Sequence, residues 1–457
     1  MKRIACLLPL ALAGCGAGER PATPGSAAIG APASWRDGPG SDAAIAGDWW
    51  KGFGDPALGA IVDKALANNP DIAIAAARVA EADAQFRLAR SQQRPSIGGA
   101  IGGLARDRSV SPFGKPEEQS AAQPSLSASY EIDLFGRLAQ ATASARAALL
   151  ATRATQASVR LAVAATAANG YITLIGLDAR LAVLRDTLTA RAESLRIARR
   201  RAETGYSPQL DLQQAEAEYR ATEQLIPTVE LAIRRQEDGL SILLGESPRA
   251  IERGEPLAAL AIPTLDGGLP ASLLRRRPDI AAAEQQLVAA DHALDSARAA
   301  FLPSIRLNAS AGYAVSTLLA DPIGIWSLGG SILAPLFQGG RLRAQADSAA
   351  ARRDQAAFAY QKTALGAFRD VEDALAAVAR TSEQEQALVA QRSALAEALR
   401  LATNRYRAGY SAYLEQLDAQ RGLLSAELAL AQVRADRLNA VVSLYQALGG
   451  GWDASLL

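Results

Sequence analysis

Histidine and methionine are almost missing from this chain of 457 residues: it has one of each, His292 and Met1. That leaves little material for histidine acid–base chemistry or a histidine-rich metal site. Aromatic residues make up only 5%, so a core must come from small and aliphatic side chains in narrow seams. A charge surplus is missing too, with Lys+Arg 48 against Asp+Glu 47. Nucleic-acid binding needs a clustered basic surplus, so it is not expected here. Beyond the N-terminus no apolar run reaches 18 residues, and no transmembrane helix is expected. The short glycine-rich runs lack the Lys-Ser/Thr context of a phosphate loop, which removes nucleotide binding. Adjacent acids such as Glu117-Glu118 and Glu372-Asp373 diverge on a helix, and His292 reads as a helix-surface residue. No catalytic, cofactor or metal site is expected.

The first feature present is a targeting segment, residues 1–14. Met1-Lys2-Arg3 is its basic end and Ile4 to Leu12 its short apolar run. Leu12-Ala13-Gly14-Cys15 resembles a bacterial lipobox, in which the Cys15 thiol takes a diacylglycerol and the freed amine an acyl chain. Gly16, rather than Asp, then implies export to the outer membrane. An ordinary secretory signal with an incidental cysteine is the alternative. With Cys15 acylated and Cys6 removed, no internal disulfide can form. Loss of Lys2 and Arg3 also takes the formal charge from +1 to about −1.

Residues 15–47, rich in Gly, Ala, Pro and Ser, read as a tether without a core of its own. Order begins at Asp48-Trp49-Trp50, and helices are expected after Pro56 and after Asn69-Pro70-Asp71-Ile72, ending near Arg94-Pro95. Leu126 to Leu134 alternates apolar and polar, the pattern of a half-buried strand. Ser96 to Ala105 is its partner, with a polar loop from Arg106 to Gln123. From Arg137 to about Glu203 no proline occurs, and Leu174, Leu177, Leu181, Leu184, Leu188 and Leu195 recur at coiled-coil spacing. Such a helix would be ~100 Å long, too long for the inside of a globular domain. A return helix follows Pro208 and should kink at Pro227. Residues 246–277 read as a linker.

The chain then repeats. Arg277-Pro278-Asp279-Ile280 answers Asn69-Pro70-Asp71-Ile72, and Leu302-Pro303-Ser304-Ile305 answers Arg94-Pro95-Ser96-Ile97, each 208 positions on. Gly409-Tyr410 follows Gly205-Tyr206 by 204. A steady offset with few gaps marks a duplicated unit: a first repeat over 48–245, a second over 278–448 and a tail over 449–457. The second repeat offers strands at Ile305 to Tyr313 and Leu328 to Leu336. A proline-free helix then runs from Arg341 to Ala408, and a return helix ends at Gly449-Gly450-Gly451. Four strands cannot close a barrel alone. Either they form a small soluble sheet beside a coiled coil, or several chains pool them into one membrane barrel with a wet lumen.

At these motifs the chain resembles the outer-membrane efflux proteins, the TolC-like ducts, and among them the lipoproteins of tripartite drug-efflux pumps. The likeness rests on the lipobox, Asp48-Trp49-Trp50, Asn69-Pro70-Asp71-Ile72, Asp133-Leu134-Phe135-Gly136, Leu273 to Ile280, Tyr406-Arg407-Ala408-Gly409, Leu417-Asp418-Ala419-Gln420 and Leu444 to Trp452. It implies an α+β membrane protein, a homotrimer with a shared 12-stranded barrel, a 12-helix periplasmic tunnel and a mixed belt. It further implies passive conduction to the exterior from a periplasmic adaptor and an RND-type inner-membrane transporter. By the same resemblance Leu414 and Asp418 form an apolar and an acidic ring at a closed tip. Arg405, Tyr406 and Arg407 then face Asp211 across a releasable latch. Type I protein secretion and a lipid-anchored periplasmic scaffold are the competing readings.

Overall fold

Prolines start several of the helices and left-handed glycines, Gly205 and Gly409 among them, end the longest ones, so the elements are few and long. The computed structural model describes residues 20–36, 45–110, 113–114, 116–263, 265 and 268–453. Cys15 and the targeting segment lie outside these. Helices α1 (Pro56–Asn68) and α2 (Pro70–Ser91) lead into strands β1 (Ser96–Val110) and β2 (Pro116–Ile132). Next come α3 (Arg137–Glu203), α4 (Gln209–Glu223) and α5 (Leu225–Leu243). A short α6 (Pro270–Arg276) precedes α7 (Pro278–Ala299), β3 (Ser304–Ser316), β4 (Ile323–Leu333), α8 (Arg341–Arg407) and α9 (Tyr413–Ala447). The order helix, two strands, long helix, return helix therefore occurs twice.

The repeated Pro-Asp-Ile motifs start helices and do a second job. Asn69 caps α2 by accepting from the Asp71 amide at 2.9 Å, while its own Nδ2 donates to the Leu243 carbonyl at the end of α5 (3.0 Å). In the second repeat Arg277 holds Asp279 with two bonds (3.0 and 2.7 Å) and donates to the Ala447 carbonyl (3.1 Å). Leu243 and Ala447 are themselves 204 positions apart. Different side chains thus satisfy the same orphan carbonyls at the end of each return helix.

The contacts divide the chain into two units. The first comprises 78–153 and 282–362 with the segment before residue 29. It holds an antiparallel sheet in the order β1-β2-β3-β4. Ile97, Leu126, Leu307, Trp326, Leu328 and Ile332 share one face by register and are all exposed. The opposite face carries paired serines: Ser96 with Ser129 and Ser310 with Ser327, each 2.8 Å apart at the hydroxyls. Glu131, Arg306 and Asn308 lie on this polar face too. Among the described residues neither face carries a second layer, and the polar face is interrupted on β4, where Ile323, Ile325 and Leu333 share it by register.

Strand lengths needed correction. The expected loop from Arg106 to Gln123 is mostly strand, with Arg106 opposite Ser120 and Arg108 opposite Glu118. Polar side chains on both faces hid it, because ladder pairing needs no apolar residue. A bulge between Gly102 and Ala105 also breaks the alternation, where Gly103 takes φ 61. Conversely β4 stops at Leu333, short of the expected Leu336. Pro335 there has no amide to give to a ladder.

The second unit comprises 29–77, 154–281 and 363–457. The middle of α3, from Val163 to Leu184, packs with Leu58 and Val62 of α1, Ile233 and Leu240 of α5, and Leu438 and Val442 of α9. One 18-residue stretch of α3 is apolar enough to cross a membrane by composition, but 56% of it is buried inside the protein. Trp49 stacks on Tyr445 with centroids 4.9 Å apart. The return helix breaks as expected: Pro227 displaces the carbonyl four residues back, and α4 ends there at Glu223.

Two segments expected to be loose are docked. Within 246–277, Ile251, Leu257, Leu260 and Leu273 are buried. The Gly254 amide donates to the Tyr171 hydroxyl, which donates to Asp55, both at 2.8 Å. The tether is held along α8. Arg353, only 2% exposed, donates to the Pro21 and Ala22 carbonyls at 3.0 Å. Further along, the Trp35 indole donates to the Gly268 carbonyl at 2.7 Å and packs against Phe368. The polar contacts that hold the tether through its backbone carbonyls leave no hydrophobic pattern to read.

Candidate gate at the paired helical turns

Both long helices end in the same way. Gly205 and Gly409 adopt φ 75 and 77, the left-handed conformation that closes a helix and strains any residue with a Cβ. The amide after each glycine reaches back to an arginine carbonyl: Tyr206 to Arg201 at 2.8 Å, Tyr410 to Arg405 at 2.9 Å. The return helices then begin at Gln209 and Tyr413. Tyr206 and Tyr410 are exposed at the two turns, 69% and 80%.

Behind the turns lies a small cluster separate from the main core: Ala198, Ala215, Tyr406, Tyr413 and Leu417. The Tyr406 and Tyr413 rings meet at 5.4 Å. Burial, with the neighbouring Tyr406 and Glu218, pushes the Tyr413 phenol up to about 12, so it stays neutral near pH 7. Asp211 is half-buried, which raises its pKa, and Arg201 opposes that rise.

Leu414 and Asp418 are both exposed on α9, one turn apart. Their neighbours Tyr413, Gln416, Leu417 and Gln420 point inward, so the two side chains occupy the face of α9 left uncovered in the single chain. Leu210, the repeat counterpart of Leu414, is also exposed. The expected latch residues fall out differently. Tyr406 is buried, and its hydroxyl has no hydrogen-bond partner among the described residues. Arg405 meets Glu415 of its own repeat at 3.6 Å. Asp211 forms no ion pair within 4 Å among the described residues. The cation that crosses between the turns is Arg201, which donates to the carbonyls of Tyr406 (3.2 Å) and Arg407 (3.1 Å).

Sequence reasoning missed a further buried group. Arg191 of α3, 4% exposed, pairs with Glu218 of α4 at 2.9 Å and donates to Thr222 at 2.6 Å. Glu218 also accepts from Arg421 of α9. Burial lowers the Arg191 pKa, and the Glu218 carboxylate opposes that. One signal was available: Arg191 sits on the leucine seam between Leu188 and Leu195, where a charge needs a partner. Arg201 had a signal as well, being the counterpart of Arg405 at the repeat offset. Among the described residues no group of three His, Cys, Asp or Glu could hold a metal ion.

Known proteins decide what the arrangement belongs to. The model of the outer membrane efflux protein family matches residues 61–246 and again 269–450. The chain belongs to the outer membrane efflux protein family. It is 37% identical over 411 residues to the solvent efflux pump outer membrane protein SrpC of Pseudomonas putida, covering 88% of this chain and 87% of that one. The outer-membrane channel OprN superposes with a TM-score of 0.86 at 28% identity, covering 95% of this chain and 99% of OprN. The open state of the Neisseria gonorrhoeae MtrE outer membrane channel gives 0.83 at 29% identity, with 95% and 98% covered. The mostly helical chain with one small antiparallel sheet is therefore the fold of an outer-membrane efflux channel, and the protein is an outer membrane efflux protein.

Proposed function

We propose that this efflux protein works as a homotrimer in the outer membrane and is the passive exit duct of a tripartite pump. One observation carries the reading: a four-stranded sheet with an exposed apolar face, a serine-lined polar face and two unpaired edges. In lipid those edges must be paired, and three copies supply twelve strands, enough to close a barrel around a wet lumen. The apolar face then meets lipid. Cys15, released from residues 1–14 and acylated, adds an anchor that the docked segment 20–36 ties to α8.

The long helices of three chains extend the lumen into the periplasm, towards an adaptor and an RND-type transporter that supplies the energy. At the tip, Leu414 and Asp418 from each chain form an apolar ring and an acidic ring. Three carboxylates near one axis repel anions and favour cations. Arg405 and Arg407, both exposed on the single chain, meet Asp211 of a neighbouring protomer as the releasable contact, and Tyr406, buried within its own chain, packs behind them. Because SrpC is named for solvent efflux, small apolar molecules are the first substrate class to test. Cells carrying the adaptor and pump but lacking this chain are expected to accumulate a solvent or an apolar dye, and the restored chain to lower accumulation again. Unchanged accumulation, with loss of a secreted protein instead, would move the reading to type I secretion.

A further inference from the structure

The β1–β2 hairpin sorts its charges by face, and a single bulge does the sorting. Up to Gly102 the odd-numbered residues of β1 lie on the apolar face, with Ile97 opposite Ala128 and Ile101 opposite Pro124. Past the bulge the parity changes. Arg106 pairs with Ser120 and Arg108 with Glu118, so both arginines join that same face. Asp107, opposite Gln119, goes to the polar face instead. One extra residue makes the switch, and Gly103 at φ 61 supplies its left-handed step. Without the bulge, both arginines would fall on the polar face.

Below the arginines the apolar face is hollow. Ile101, Leu126, Tyr313 and Trp326, all more than half exposed, line a depression of about 750 Å³. Gly99 and Gly324 line it too and bring no side chain to fill it. Strand geometry gives the heights. From Ile132 to Pro124, β2 advances eight residues, ~27 Å of strand and ~21 Å of height at the tilt of a membrane barrel. The apolar band of such a barrel is about 25 Å tall and edged with aromatic residues. The depression therefore lies near one edge, with Tyr313 and Trp326 as its aromatics. Arg106 and Arg108 stand ~10 and ~16 Å beyond Pro124 on the same reckoning, at headgroup level. The long helix α3 leaves from the opposite end of β2, so this is the outer end.

An apolar hollow beneath two cations suits a lipid that is both acylated and phosphorylated. The outer leaflet of an outer membrane is built from one, a glycolipid with several acyl chains and phosphates on its sugar head. We infer that this surface is a binding site for that glycolipid: an acyl chain lies in the depression against Trp326, and Arg106 and Arg108 hold the phosphates. Arginine suits the task, because its planar fork takes phosphate oxygens in pairs. Glu118 shares the face and meets Arg106 at 3.5 Å, but the two side chains are 58% and 80% exposed. Such a pair is weak, and a phosphate displaces it. The inference rests on the proposed barrel, because it needs the apolar face in lipid.

The test titrates lipid A into the detergent-solubilised protein and counts bound lipid by native mass spectrometry. Wild-type protein is expected to bind dephosphorylated lipid A and phosphatidylglycerol at least tenfold more weakly, the scale of one charge-assisted hydrogen bond. Arg106→Gln with Arg108→Gln should lose the same factor for lipid A and nothing for its dephosphorylated form. Gly99→Leu, which fills the depression, should weaken both forms roughly tenfold, the worth of about two buried methylenes. Asp107→Asn, at the same height on the polar face, should change neither. Equal binding of lipid A with and without phosphates overturns the inference, and so does equal binding of phosphatidylglycerol. A loss in Asp107→Asn as large as that in the arginine pair overturns it as well. The wild-type arms decide even where a variant does not assemble. If no lipid binds while Leu328→Arg still costs more stability than Ser327→Arg, the site fails and the barrel stands. Equal costs at those two positions would fell the barrel reading itself.

Discussion

Leu328→Arg is expected to destabilise the membrane-inserted protein by about 2–4 kcal/mol, the cost of a cation on the lipid face of a barrel near the bilayer midplane. Leu328 is 76% exposed on β4, beside Trp326 and Ile332 on the apolar face. Its neighbour Ser327 points to the other face, with its hydroxyl on Ser310. Ser327→Arg should therefore cost far less, because in the duct it meets water. The pair is a strict comparison, since the positions are adjacent and the introduced residue is the same. Urea titration of folding into lipid vesicles measures both. Equal losses would mean that neither face meets lipid and would favour the soluble-sheet alternative.

Glu218→Ala is the second large effect, expected at about 3–5 kcal/mol against the folded tip, because it leaves the buried Arg191 guanidinium without its counter-charge. Arg421→Ala should cost no more than ~1 kcal/mol, since Arg421 is 57% exposed and stays solvated when unpaired. Joint replacement of Arg191 by Met and Glu218 by Leu removes the charge and its partner together, and should recover much of the loss. Thermal unfolding with limited proteolysis near the two turns gives the ranking. If Glu218→Ala and Arg421→Ala behave alike, the buried pair does not hold α3 to α4.

Helix ends were the most legible part of the sequence, because local chemistry sets them. Pro56, Pro70 and Pro278 start helices, Gly205 and Gly409 end them, and Pro227 splits the return helix at Glu223. Strand extent was less legible. The outer parts of β1 and β2 carry Arg, Asp, Glu and Ser on both faces, and ladder hydrogen bonds leave no trace in side-chain hydropathy. The docked segment 20–36 was hidden for a related reason. Arg353 and Gln361 hold it through its backbone carbonyls, which every residue has. At the tip, the family resemblance supplied Leu414 and Asp418, whereas Arg191 and Arg201 emerged only with geometry. Their partners are a distant carboxylate and two main-chain oxygens, set by how the helices meet rather than by any spacing in the chain.

Ion flux through purified protein in planar bilayers tests the central claim most directly. The account expects discrete channel events from the wild-type protein. The double variant Leu414→Ala with Asp418→Ala should show larger conductance and weaker preference for cations, because both rings are removed together. Absence of channel events from both proteins, each assembled and inserted, would contradict a duct. Channels of unchanged conductance and selectivity would keep the duct but remove Leu414 and Asp418 from its gate.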